Sequence, residues 1–287
     1  VPALRERAHA AEQARCIPQT TIDEFHSAGL FRFLQPKRFG GYELDYGFQV
    51  EVGAELGRGC GSSAWVLTVL ASHHWMLGMF PAEAQEAVWG PSSDTLIVSA
   101  LNAERSHTEI VDGGFRLSGH WKFASGVDHC AWAMLAALIH RPEGPPDPRV
   151  FLVPLGDCKV LDTWYSSGLK ATGSHDIVVD DVFVSDHRTL QLSVLKGAPT
   201  PGSAINDGHI YRLPLYAVFP FNIFAPAVGI ARGALEAFVQ RTSGLVAVSS
   251  GVKVAELTNV QARISEAAVE IDCAELLAHR DRKEINA

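Results

Sequence analysis

Gly119-His120-Trp121-Lys122-Phe123-Ala124-Ser125-Gly126, followed by Val127-Asp128-His129, alternates apolar and polar side chains, is rich in aromatics and closes on glycine. That pattern predicts a half-buried strand. The preceding Val111-Asp112-Gly113-Gly114-Phe115-Arg116-Leu117 reads as a turn leading into another short strand. Positions two apart in a strand share a face, so Phe123 and Ser125 are expected side by side. A flat ring beside one hydroxyl suits a flat heteroaromatic ligand. An ordinary sheet strand with a surface serine fits the same letters.

Working outward, the period changes twice. From Thr95, short strand-like runs (Leu96 to Ser99, Thr108 to Val111, Phe115 to Leu117, His120 to Ser125, Ala131 to Ile139, Arg149 to Val153, Ile177 to Val184) alternate with Gly, Pro and Asp clusters. That density predicts a small barrel or sandwich. Residues 3 to about 90 read as helices: Ala3 to Arg15, one capped by Thr20 or Thr21 and ending at Gly29, Tyr46 to Leu56, one capped by Ser62 and running through Trp65 to Met79, and one starting at Pro81. Residues 191 to 213 form a Gly/Pro/Ser/Asn-rich loop, long enough to suggest a lid or a domain connection. Helices return at Pro220 to Thr242 and Val252 to about Ile285. The expected fold class is α+β, with a helical unit at 1–92, a central β-barrel at 93–190 and a partial helical bundle at 191–287.

Composition narrows the function classes. The 287 residues are 47% hydrophobic and 20% charged, enough for two or three packed layers. A formal charge of −8 without a basic patch argues against nucleic acid. No apolar run reads as a bilayer span and no signal peptide is visible, so a membrane partner is not expected. Five scattered cysteines (Cys16, Cys60, Cys130, Cys158, Cys273) suit reduced thiols and a cytoplasmic setting. The first residue is Val1 rather than Met and the last are Asn286-Ala287, so the natural chain is expected to extend further. No Gly-x-Gly-x-x-Gly, Walker loop or Gly-x-Ser-x-Gly is present, and Asp128-His129-Cys130 is too compact for a metal site.

His73 and His74 lie in an apolar helix beside Trp75. Neighbours on a helix point about 100° apart, so the two cannot chelate together. Each reads either as a buried structural histidine or as a base at a pocket.

Several motifs in order resemble the acyl-CoA dehydrogenase superfamily over essentially the whole chain: Gly29-Leu30-Phe31-Arg32-Phe33-Leu34-Gln35-Pro36-Lys37-Arg38-Phe39-Gly40-Gly41, Gly61-Ser62-Ser63-Ala64-Trp65, Phe123-Ala124-Ser125, Asp162-Thr163-Trp164-Tyr165, Gly168-Leu169-Lys170-Ala171-Thr172-Gly173-Ser174, and Asp180-Asp181-Val182-Phe183-Val184. Within it the chain looks most like oxygenase components of two-component flavin-dependent monooxygenases, of the p-hydroxyphenylacetate and secosteroid phenol hydroxylase type. The resemblance implies reduced flavin (FMN or FAD) delivered by a separate flavin reductase, and oxygen transfer through a C4a-hydroperoxide to a small, aromatic or amine substrate. It places Ser125 at flavin N5, Phe123 on the isoalloxazine, Trp65 at the pocket wall, and Thr172 and Ser174 in a polar cofactor loop whose usual first Gly is Ala171 here. Asn102 stands where relatives have polar groups near the flavin, and Arg241 where a superfamily Arg meets a cofactor phosphate across a subunit contact. His73 matches the histidine that binds or deprotonates a phenol, with His74 as the fallback. The resemblance further implies a homodimer or homotetramer and a C-terminal bundle that continues beyond this chain. The alternatives are an acyl-CoA dehydrogenase using FAD, a flavin-dependent N-oxygenase, and a non-catalytic flavin-binding protein.

Overall fold

The computed structural model describes residues 1–102, 105–141, 143–246 and 251–285; Ala103, Glu104, Pro142, residues 247–250 and Asn286-Ala287 lie outside them. Five helices come first: α1 (Pro2–Ala14), α2 (Gln19–Ser27), α3 (Phe48–Gly57), α4 (Gly61–Leu77) and α5 (Ala82–Trp89). Helix α4 is apolar all round and therefore sits at the centre. From Ser62 to Leu77 only Trp65 and Val69 escape full burial. These two, with His73, fall at i, i+4 and i+8 on one stripe.

The strands β1 (Ile97–Ala100), β2 (Ser106–Val111), β3 (Gly114–Ala124), β4 (Trp132–Ile139), β5 (Asp147–Pro154), β6 (Lys159–Leu161), β7 (His175–Ser185) and β8 (Thr189–Gln191) follow. They form two four-stranded sheets, ordered β1-β4-β5-β8 and β2-β3-β7-β6, so of the two arrangements expected from sequence the strands take the sandwich rather than the barrel. All pairs are antiparallel except β1 with β4. The first sheet is covered on both faces, which explains the continuous apolar run of β4. Ile97, Met134, Val150 and Leu152 pack towards Trp75, Met76 and Phe80 of the helical core. Val98, Leu135, Phe151 and Val153 pack on Leu117, Trp121, Ile177 and Val179 of the second sheet.

The chain returns to helices at α6 (Leu215–Val218), α7 (Pro220–Ser243) and α8 (Thr258–Ile285). Helix α7 crosses α3 closely: a Cβ on Gly229 would stand 2.2 Å from the Ala54 carbonyl oxygen. That approach sets the start of α7 beside α4. By length and composition alone Leu215–Ser243 is apolar enough to cross a bilayer, a stretch the sequence reading passed over. Phe221, Ala225 and Val228 are instead buried within the protein.

Local expectations shift in four places. Ser62 is not the cap of α4; Cys60 holds that position, and the Ser62 hydroxyl bonds the Glu12 carboxylate of α1. Helix α2 starts at Gln19 behind Pro18, so Thr20 and Thr21 lie inside it. The 191–213 segment is strapped down rather than poised as a lid. Trp75 Nε1 donates to the Ile210 carbonyl at 2.7 Å, the Tyr211 hydroxyl to the Leu34 carbonyl at 3.0 Å, and Asn206 Nδ2 to the Gly78 carbonyl at 2.7 Å. The last helix begins at Thr258, not near Val252.

Candidate active site

One stripe of α4, the end of β1, the end of β3 and the start of α7 converge on a cleft of about 270 Å³. Trp65, Val69 and His73 come from α4; Ser99, Ala100, Leu101 and Asn102 from β1 and its exit; Lys122, Phe123 and Ser125 from β3; Phe219, Asn222 and Ile223 from the other side. The lining is mostly apolar, with a few polar groups to orient a ligand.

Phe123 and Ser125 both reach this cleft, but not by strand alternation. The β3–β7 register breaks between Trp121 and Ala124, and Phe123 takes a left-handed φ of 67°. Lys122 and Phe123 therefore both face outward, while Ser125, past the strand end, is buried. A left-handed conformation costs a non-glycine residue roughly 1–2 kcal/mol. The backbone spends it on presenting a Phe123 ring that is 63% exposed, edge-on to Trp164 with centroids 6.1 Å apart.

Behind Ser125 lies a row of hydroxyls. Trp65 Nε1 donates to Ser125 Oγ at 3.1 Å; Ser125 Oγ and Ser174 Oγ are 2.7 Å apart, as are Ser174 Oγ and Thr172 Oγ1. Thr172 and Ser174 are buried and do not line the cleft, so the structure sets them behind Ser125 rather than at its surface.

His73 is fully buried and holds a defined tautomer. Its Nδ1 lies 2.7 Å from the Ile97 carbonyl oxygen, which only accepts, so Nδ1 carries the proton. Nε2 is then an acceptor, and Ser99 Oγ donates to it at 2.7 Å. Burial pushes the His73 pKa down to about 4, so the ring is neutral at physiological pH. Sequence reading missed Ser99, whose hydroxyl joins His73 to the cleft. Its only sequence signal is one polar residue in the apolar run Leu96-Ile97-Val98-Ser99-Ala100-Leu101.

His74 points elsewhere. It stacks edge-on against Trp89 at 5.5 Å, and the carbonyls of Phe31 and Thr95 face it without reaching hydrogen-bond geometry. Burial drives its pKa to about 3. Asn102 lines the main cleft and an adjoining one of about 270 Å³ with Arg105, His120, Lys122 and Phe123, a cationic flank. Arg241 lies exposed in the last turn of α7 and does not line the cleft. A larger cleft of about 450 Å³ between α3, α7 and α8 is lined by mutually paired charges: Arg58 with Glu55 and Glu236, Arg232 with Glu275.

The residues present fit a flavin. An exposed aromatic ring held out at backbone cost, a hydroxyl and an indole N–H beside it, and a neighbouring cationic cleft suit a flat, anionic heteroaromatic.

Residues 3–93 match the family model "Acyl-CoA dehydrogenase, N-terminal domain" and residues 222–287 the model "Acyl-CoA dehydrogenase, C-terminal domain". The oxygenase subunit HsaA of a flavin-dependent monooxygenase from Rhodococcus jostii (strain RHA1) is 37% identical, over 96% of this chain and 72% of that protein. The chain belongs to the oxygenase components of flavin-dependent monooxygenases. The oxygenase component of the FADH(2)-dependent resorcinol hydroxylase from Rhizobium sp. (strain MTP-10005) is likewise 37% identical, over 97% of this chain and 69% of that protein. The crystal structure of 3-HSA hydroxylase from Rhodococcus sp. RHA1 superposes with a TM-score of 0.93 at 35% identity, covering 99% of this chain and 73% of that one. This oxygenase component has the acyl-CoA dehydrogenase-like fold, is an oxidoreductase and is flavin-dependent. Neither the dehydrogenase nor the N-oxygenase alternative is favoured by these relatives.

Proposed function

We propose that this oxygenase component hydroxylates a small phenol, with Ser99 and His73 handling the phenolic proton. The observation that carries the reading is the Ser99–His73 pair: a cleft hydroxyl hydrogen-bonded at 2.7 Å to the acceptor nitrogen of a neutral, fully buried imidazole. The name of the resorcinol hydroxylase relative supports a phenolic ring. Reduced flavin, supplied by a separate reductase, would contribute the electrons that activate O₂ for transfer to the ring. Phe123, Ser125 and Trp65 would hold it, with Asn102 and the cationic flank nearby.

We read His73 as a proton acceptor during oxygen transfer rather than as a base that makes phenolate beforehand. A phenol titrates near 10 and the His73 conjugate acid near 4. Burial holds His73 neutral, so full transfer before reaction is disfavoured. The proton instead moves as the ring takes up oxygen. The phenol is then becoming a protonated carbonyl, far more acidic than His73, and passes its proton through Ser99 Oγ to His73 Nε2. Val69, Leu101, Phe219 and Ile223 give the cleft apolar walls around this transfer.

The test is single turnover of anaerobically reduced flavin mixed with O₂ and a panel of phenols, anilines and acyl-CoA esters. Hydroxylated phenol with little free hydrogen peroxide is expected. Oxidation of the acyl-CoA, or of the aniline alone, would overturn the reading.

We place assembly and setting beside this proposal. Ile223, Phe238, Val239, Leu276 and Leu277 are exposed apolar residues of α7 and α8, which supports a homodimer or homotetramer through these helices. A monomer in sedimentation equilibrium would contradict it. All five cysteines are free, which supports a reducing cytoplasmic setting.

A further inference from the structure

The hydroxyl row behind Ser125 has a fixed polarity. The Leu169 carbonyl oxygen lies 2.9 Å from Thr172 Oγ1 and can only accept, so the Thr172 hydroxyl hydrogen is committed to it. Ser174, 2.7 Å from Thr172 Oγ1, must then donate to Thr172. Its single hydrogen being used, the 2.7 Å contact with Ser125 requires Ser125 to donate to Ser174. At the other end the Trp65 indole can only donate, and it gives its N–H to Ser125. Ser125 is left without a hydrogen for the cleft and with one lone pair. The last acceptor is itself held firmly: Leu169 adopts φ 52°, and its carbonyl also receives Trp164 Nε1 at 3.1 Å.

We propose that Thr172 and Ser174 are positioning residues that make Ser125 an obligate acceptor, and that this selects the reduced over the oxidised cofactor. The inference rests on the reading that flavin N5 meets Ser125. Reduced flavin carries a hydrogen on N5; oxidised flavin presents a lone pair there. The row therefore offers a hydrogen bond to the reduced form and a lone-pair contact to the oxidised form. The difference between a made bond and an unmade buried one corresponds to about a tenfold to hundredfold ratio of dissociation constants. The same row gives Ser125 no way to reverse, because every hydrogen in it is already committed.

The experiment measures dissociation constants of FMN and FAD, each oxidised and dithionite-reduced, under anaerobic conditions by quenching of protein fluorescence. Wild type is compared with Thr172→Val, Thr172→Ser, Ser174→Ala and Ser125→Ala. Thr172→Val frees the Ser174 hydrogen to turn towards Ser125, and Ser174→Ala frees the Ser125 hydrogen to turn towards the cleft. Both are expected to lower the oxidised-to-reduced ratio about tenfold, mainly by tighter binding of oxidised flavin. Thr172→Ser keeps the hydroxyl and should keep the ratio, which a merely structural role would not require. If Ser125→Ala changes the ratio while Thr172→Val and Ser174→Ala leave it at the wild-type value, the proposal is overturned and the flavin site stands. If none of the variants changes flavin binding, Ser125 is not at the flavin and both readings fall. Should Thr172→Val not fold, Ser174→Ala decides.

Discussion

Replacing His73 by alanine is expected to lower phenol hydroxylation by about 10²–10⁴-fold, the usual range for loss of a positioned base. Reduced flavin should still bind and O₂ still be consumed, so turnover is diverted to free hydrogen peroxide. The loss has a defined origin. Ser99 Oγ now donates to His73 Nε2; without the imidazole it has no acceptor through which to pass a proton. Ser99→Ala should lower hydroxylation in the same direction but by less, since His73 also lines the cleft. His74→Ala should change only stability, because that ring packs on Trp89 away from the cleft. The pH profile separates transfer during reaction from preformed phenolate. His73 gains a proton only as pH falls towards about 4, so its acceptor nitrogen is available throughout the neutral range. Hydroxylation should then be nearly level between about pH 6 and 8. A requirement for preformed phenolate would instead raise the rate about tenfold per pH unit towards the phenol pKa near 10. Equal effects of His73→Ala and His74→Ala, or a tenfold-per-unit slope, would remove His73 from the proton path.

The second large effect is on stability. Trp121 is 1% exposed between the two sheets, and its indole N–H donates to the Ala136 carbonyl at 2.7 Å. It ties β3 to β4 just before the register break that turns Phe123 outward. Trp121→Ala removes the largest ring in that core and leaves a cavity, a change that typically costs about 3–5 kcal/mol. Trp121→Phe keeps most of the packing and loses the hydrogen bond, so the cost should be smaller by more than half. Urea unfolding of the two variants checks the order. A loss under about 1 kcal/mol for Trp121→Ala would mean that the strand end is fixed by other contacts.

The sequence showed the order of the elements because their periods differ. The apolar run around His73 reads as a helix, and the strand-like segments after Thr95 fall on β1 to β5 and β7, with Phe115 to Leu117 and His120 to Ser125 joined in the single strand β3. What it could not show is closure: two sheets and one barrel have the same alternating strands, and only the pairing, β1-β4-β5-β8 and β2-β3-β7-β6, separates them. Short β6 and β8 carried too few residues to stand out. At the site, Trp65, His73, Asn102, Phe123 and Ser125 do share one cleft. Phe123 and Ser125 do not meet by strand alternation, because alternation assumes extended backbone and Phe123 is left-handed. Ser99 stayed hidden because its partner lies 26 residues away in another element. Thr172 and Ser174 were found as a polar loop, but their place behind Ser125 is a matter of tertiary packing.

The most direct test of the central claim is a single turnover with reduced flavin and a phenol substrate under ¹⁸O₂, read by mass spectrometry of the product. The expected result is one ¹⁸O atom in the new hydroxyl group and none from solvent water. Product oxygen drawn from water, or a dehydrogenated product without added oxygen, would contradict it.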